Sequence, residues 1–305
     1  MSAETTTARP IVRSASGRDY GLLLLLSAMW GGSFPLIKLA VASLPALWVA
    51  GGRISLGALA LLAVMGLRGS SLPRGRAVWA RLAFMGLVGN VAPFALISWG
   101  EIHVASGIAA ILMAMVPMMV VVVAHFRLPD EPLTLGKSIG VALGIAGTLV
   151  LIGQSALAGL GSNLAGELAI FLATVCYAAS ALVARGLPAL SADSASGAML
   201  IVAAPISLGM AAIIDPPWTL APSMGSLASV AVLGLFCTGL GMLLFLGILA
   251  RAGAGFASMN NFLVPPLGVI YGRIGLAERL PVTAFAAMAL ILAGLFAQRL
   301  RLQRF

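Results

Sequence analysis

Charge is what this sequence has least of. Asp, Glu, Lys and Arg together make up 9% of its 305 residues, against about 25% in soluble globular proteins. A water-facing fold so poor in charge would expose large apolar patches and associate, so a soluble class is excluded. Cysteine is as scarce. Cys176 and Cys237 each lie inside an apolar run and fit neither a disulfide framework nor a metal spacing, so they read as small buried hydrophobes. No metal or other cofactor is expected. HExxH, GxSxG, P-loop and Cys/His clusters are all missing. His125 and Asp130 form an HxxxxD, but on a loop with no nucleophile or base beside it, a chance pairing. No enzyme is expected.

What remains is apolar. Hydrophobic residues reach 61% and the mean hydropathy is +1.08. Apolar runs bounded by Gly, Pro and charge fall at about 20–42, 47–67, 80–99, 104–125, 134–153, 165–185, 195–214, 226–250, 254–273 and 281–299. A membrane span needs about 20 apolar residues, so ten spans leave no room for a sizeable soluble domain. The first run follows Arg9, Arg13 and Arg18, and Ala40-Val41-Ala42 resembles a cleavage site. At that length the run exceeds a signal-peptide core, and it reads as the first span. The chain then divides into a polar cytoplasmic tail (1–19), five spans (20–153), a Gly/Ser-rich external linker (154–164), five more spans (165–299) and a short cytoplasmic tail (300–305).

The two halves are related. A shift of 148 residues lays 81–117 on 229–265 without a gap, matching Gly86 with Gly234, Gly107 with Gly255 and Pro117 with Pro265; a shift of 147 pairs Glu131 with Glu278. Five is odd, so the second copy enters the membrane from the opposite side. The expected fold is an all-α integral membrane protein, ten transmembrane helices in two inverted five-helix repeats around a central cavity, the layout of alternating-access transporters. The formal charge of +9 forms no single patch, so a nucleic-acid partner is not expected. With the N-terminus cytoplasmic, fourteen basic residues, from Arg9 to Arg304, fall on that side and only Arg273 and Arg279 on the other. The positive-inside rule then puts both termini in the cytoplasm, in a cell (inner) membrane.

Intramembrane polarity marks the candidate site. Glu101, Asp130, Glu131, Glu167, Asp193, Asp215 and Glu278 all fall at span ends or in loops, which argues against proton antiport and for facilitated transport. Lys38 and Arg53 are the basic exceptions, either snorkelling to the outer interface or meeting a substrate carboxylate. Pro35, Pro93, Pro117, Pro205, Pro265 and Pro266 interrupt spans, and the matched pair Pro117 and Pro265 points to symmetric breaks beside a site. Helical spacing groups Trp30 with Ser33, Asn90 with Phe94, Ser98 and Trp99, Met113 with Pro117, Tyr177 with Ser180, and Asn261 with Pro265; Asn90 aligns with Thr238, and Met113 with Asn261. The alternative for the Asn residues is helix–helix hydrogen bonding, and for Trp99 an interfacial belt. Gly136, Gly140 and Gly144 form a small-xxx-small stripe, for packing within the monomer or for a homodimer.

Trp30-Gly31-Gly32-Ser33-Phe34 through Lys38, then Pro45 and Arg53, resemble the opening of EamA-type proteins of the drug/metabolite transporter superfamily. So do Asp130-Glu131-Pro132-Leu133-Thr134 after the Pro117 helix, and Gly275-Leu276-Ala277-Glu278-Arg279-Leu280 after the Pro265 helix. The likeness covers residues 20–299. The first Pro-to-Glu spacing is one residue longer than the usual form, and an Asp precedes that Glu. The resemblance implies ten helices, inverted repeats, cytoplasmic termini and export of small metabolites, with helices 1, 3, 4, 6, 8 and 9 around the cavity and 5 and 10 at its side. Within the superfamily the chain is most similar to YddG-like exporters of aromatic and other amino acids. The expected activity is facilitated export of neutral or aromatic amino acids, with the substrate and the lipid bilayer as partners. An exchanger of anionic metabolites is the alternative within transport; a membrane-embedded enzyme or assembly factor is the alternative outside it.

Overall fold

The computed structural model describes residues 15–128, 131–157, 161–188 and 190–300. Most of the 1–19 tail, residues 158–160 of the linker, Asp130 and residues 301–305 lie outside them. Among the described residues all regular structure is helical. The rods are α1 (Gly17–Ala40), α2 (Ala46–Arg68), α3 (Arg76–His103), α4 (Ser106–Arg127), α5 (Leu135–Leu157), α6 (Gly161–Ala184), α7 (Ala192–Ile214), α8 (Met224–Ala257), α9 (Asn260–Gly275) and α10 (Val282–Ala297). The first eight are long and apolar enough to cross a membrane; α9 and α10 have 16 residues each. Leu24, Leu59, Leu149, Ile213, Val282 and Phe296 are each more than half exposed. Such outward apolar faces suit lipid and not water. This is a multi-pass membrane protein.

Local chemistry sets the helix ends. At the start of α1 the Asp19 carboxylate accepts from the Ser16 amide at 3.0 Å and from its hydroxyl at 2.7 Å, within a capping box. Gly69 ends α2 at φ 65°, a left-handed stop that lacks a Cβ penalty. Pro93 and Pro117 do not break helix interiors. Each opens a helical segment, where its missing amide costs little, after a π stretch at Leu87–Val91 in α3 and a turn at Ala114–Met115 in α4. Pro35, Pro205, Pro265 and Pro266 stay inside their helices. A second π stretch, Leu233–Leu240, lies in α8. At the 148-residue shift it falls on the first, with Asn90 and Thr238 at matched places. Gly253, at φ 82°, breaks α8 near its end, so helical geometry resumes at Ala254 and turns through Ser258–Met259 into α9.

Packing partners exchange between the halves. α2 packs on α7 and α5 on α10; α1 packs on α9 and α8, while α6 packs on α4 and α3. Small residues permit the closest approaches. A Cβ on Gly140 would lie 2.6 Å from the Gly294 carbonyl oxygen, and one on Gly136 2.8 Å from that of Ala297. Two of the three stripe glycines in α5 therefore face α10 of the same chain. Gly144 faces Met115 and Met118.

Candidate functional site

The site is built around one arginine. Arg53, on the second turn of α2, is only 6% exposed. The π stretch of α8 turns Thr238 towards it, and the Arg53 Nε–H donates to Thr238 Oγ1 at 3.2 Å. Gly57 makes this approach possible, because a Cβ there would lie 2.7 Å from Thr238 Cγ2. From α3, Phe94 sets its ring under the guanidinium, with Cζ 3.8 Å from the ring centroid. That is cation–π range. Tyr177 on α6, Cys237 on α8 and Glu101 on α3 are the ionisable groups that act on Arg53 electrostatically. No ion pair among the described residues includes it. A buried cation with one hydroxyl and one aromatic face for partners is expensive. Its free N–H groups suit a planar anion, a carboxylate above all.

The other expected residues surround this centre unevenly. Phe94 and Thr238 meet Arg53, and Tyr177 acts on it electrostatically. Trp30 packs on the π stretch of α8, donating from Nε1 to the Cys237 carbonyl at 3.0 Å and tilted against Phe245 at 5.4 Å between centroids. Ser33 Oγ donates to the Trp30 carbonyl at 2.6 Å. Asn90 is buried and donates to the Met85 carbonyl at 3.3 Å, within its own helix. Ser180 sits against Gly89, where a Cβ would fall 2.9 Å from its own. Met113 packs between two of the apolar clusters. Pro117 is half-buried and Pro265 buried. Ser98 is wholly buried, its hydroxyl without a partner among the described residues. Trp99 is not brought in. It is 41% exposed and stands edge-on to His103 at 4.7 Å.

Asn260 and Asn261 divide their roles. Asn260 is buried, and its side-chain oxygen accepts from Ser27 Oγ at 2.8 Å, tying α9 to α1. Asn261 is half-buried with no side-chain hydrogen bond among the described residues. Pro265 and Pro266 also deprive the Asn261 and Phe262 carbonyls of their usual helical donors.

Two charged groups depart from the sequence reading. Lys38 is committed to backbone. Its Nζ donates to the backbone carbonyls of Glu101 and Val104, capping the end of α3, where a cation also suits the helix dipole. Glu101 falls near a span end as expected, yet it is 0% exposed and neither carboxyl oxygen has a hydrogen-bond partner among the described residues. Glu278, also missed as a functional residue, binds the start of α4 through the Ser106 and Gly107 amides. Its match to Glu131 in the repeat and its place in the 275–280 motif were the signals that pointed to it. In the loop after α4, hydrogen bonds from Lys137 and then Arg185 hold the Glu131 carboxyl below the usual carboxylate range.

Comparison with known proteins places this arrangement among transporters. The model of the EamA-like transporter family matches the chain twice, over residues 19–153 and 164–298. A probable terminal-alkyne amino-acid exporter of Streptantibioticus cattleyicolor is 27% identical over 278 residues, 89% of this chain and 90% of that protein. An uncharacterized inner membrane transporter of Escherichia coli (strain K12), YedA, is 27% identical over 256 residues, 83% of this chain and 81% of its own. A solved crystal structure of a protein 19% identical in sequence superposes with a TM-score of 0.67, covering 95% of this chain and all of its own, a likeness of fold.

Proposed function

The chain belongs to the EamA-like transporter family, and from that premise we propose that it exports neutral or aromatic amino acids across the inner membrane by alternating access. Arg53 carries the reading, as a buried guanidinium with no carboxylate partner among the described residues, seated on Phe94 beside Thr238. The substrate's carboxylate takes the free N–H groups, and its side chain packs on Phe94, Tyr177 and Trp30. The carbonyls released by Pro265 and Pro266 and the Asn261 amide offer acceptors to the ammonium group. A relative named as a probable amino-acid exporter supports the substrate class.

The cycle needs two units that exchange roles. The double match of the family model, the π stretches at matched places and the exchanged packing partners support two five-helix repeats. On this reading α9 and α10 cross the membrane as well. Both termini are cytoplasmic, so the Lys38 and Glu278 end of the bundle is external. The test is efflux and counterflow in proteoliposomes holding only this protein, against a panel of amino acids, their decarboxylated amines and dicarboxylates. Amino acids should move, and Arg53→Met should abolish that flux while Arg53→Lys keeps part of it. Equal transport of the amines, or normal flux in Arg53→Met, overturns the assignment. An exchanger of anionic metabolites needs a second uncommitted cation, and Lys38 is bound to backbone carbonyls.

A further inference from the structure

Two matched carboxylates are used differently at the two ends of the bundle. Glu278, in the loop after α9, accepts from the Ser106 amide at 2.7 Å through Oε1. Through Oε2 it accepts from the Ser106 hydroxyl at 3.0 Å and the Gly107 amide at 3.1 Å. These are the first free donors of α4, where a carboxylate also suits the helix dipole. The fit is tight. A Cβ on Gly272 would lie 2.5 Å from Glu278 Oε2, and one on Gly107 2.8 Å from Leu280. Lys38 closes the same end by holding the carbonyls just before Ser106. The loop after α9 is thus fastened across the start of α4.

The opposite end holds the same parts unfastened. At the repeat's shifts, Glu278 corresponds to Glu131, Lys38 to Arg185, and Ser106-Gly107 to Ala254-Gly255. Glu131 is one-third exposed and takes Lys137 Nζ at 2.9 Å and Arg185 Nη1 at 3.1 Å. Ala254 and Gly255 are exposed, and a Cβ on Gly255 would meet nothing within 4 Å. Gly253, at φ 82°, already breaks the helix just ahead of them. The Glu278 contact with backbone amides is made and its Glu131 counterpart is not.

We propose that Glu278 and Glu131 are the alternating latches of the transport cycle: in the opposite state Glu131 leaves Lys137 and Arg185 to bind the Ala254 and Gly255 amides, Arg185 turns to the carbonyls that end α8, and Glu278 releases α4. This rests on the alternating-access reading above. Inverted repeats supply the physical reason, since each state gives one half the conformation the other half had. The exchange trades like for like, a carboxylate on two backbone amides at either end. The two states therefore stay near balance, and a modest substrate preference can shift them.

Spin-label distances test the exchange without relying on flux. In a Cys176→Ala, Cys237→Ala background, label pairs at Ile102 with Arg279 and at Phe126 with Ala250 report the two ends. Glu278→Gln should lengthen the first distance and shorten the second, changing the ratio of the two populations about tenfold, the effect of losing one charge-assisted bond. Glu131→Gln should shift the ratio the other way, and the double variant should return towards wild type. Should Glu278→Gln not accumulate, Glu278→Asp serves, with a smaller shift in the same direction. Both single variants moving the same way, or neither moving, overturns the latches. If wild-type protein carries no amino acid while the distances shift as described, the substrate reading fails and the latches stand. Normal amino-acid flux with unmoved distances fails the latches alone.

Discussion

Arg53 shows what a single residue can reveal before folding and what it cannot. Its type and place, six residues into an apolar run, mark it as a group in need of an anion. Its ring partner and its hydroxyl partner come from α3 and α8, and no local pattern announces them. Thr238→Val removes the hydroxyl and leaves the ring, so it should weaken transport several-fold without the full loss expected of Arg53→Met, as read from initial efflux rates. Lys38 shows the opposite outcome, a cation that looked available and is committed to the end of α3. Lys38→Met should lower thermal stability by about 2 kcal/mol, the scale of leaving buried carbonyls unpaired, measured by melting in detergent. At the neighbouring pair, Asn261→Leu should cut flux with an unchanged melting temperature. Asn260→Leu, which severs the bond to Ser27, should lower stability, though by little, since such bonds average about 0.6 kcal/mol in membranes. Glu101 in α3 and Glu167 in α6 are buried carboxylates, the kind of group proton coupling uses. Facilitated transport predicts that counterflow survives collapse of the pH gradient and that Glu101→Gln leaves it unaltered.

Helices were legible because a span is a local fact: twenty or so apolar residues with polar ends. Nine of the ten runs lie on one helix each, from 20–42 on Gly17–Ala40 to 281–299 on Val282–Ala297. The run 254–273 begins in the last turn of α8 and crosses the turn at Ser258–Met259 into α9. Breaks inside the rods were not legible to the same degree. Prolines foretold the interruptions near Pro93 and Pro117, but the π stretch of α8 contains no proline. Its glycines instead press against α2, where a Cβ on Gly234 would lie 3.0 Å from the Arg53 carbonyl oxygen, a tertiary cause that no helical periodicity carries. The stripe in α5 was readable as a packing face but not as to its partner. Gly140→Val should cost about 2–3 kcal/mol by forcing α5 and α10 apart, seen as a lower melting temperature with the oligomeric state of the folded fraction unaltered. In the loop after α4, the Glu131 carboxyl has its pKa depressed by Lys137 and Arg185. Its contribution is therefore present at neutral pH and lost as pH falls through that lowered value. Exposure keeps it small. Melts taken down through the carboxylate range should decline slightly more in wild type than in Glu131→Gln.

Topology is a property of the whole molecule, and the positive-inside bias makes it testable in cells. A reporter fused after α10 should read cytoplasmic and one inserted between α5 and α6 external; the reverse result for the inserted reporter would remove the inverted relation of the halves. The exchanged pairing of helices has a consequence for synthesis. α2 has its main partner in α7, α5 in α10, and α1 in α8 and α9. A ribosome that has delivered five helices has therefore made a half whose best faces have nothing to bind. That half must wait in lipid, loosely gathered, until its counterpart emerges. The waiting interval makes this chain slow to mature and sensitive to translation rate. It also means that the join between the halves carries little of the assembly. Two genes, each encoding five helices, should rebuild the transporter when expressed together, and neither product should be stable when expressed alone.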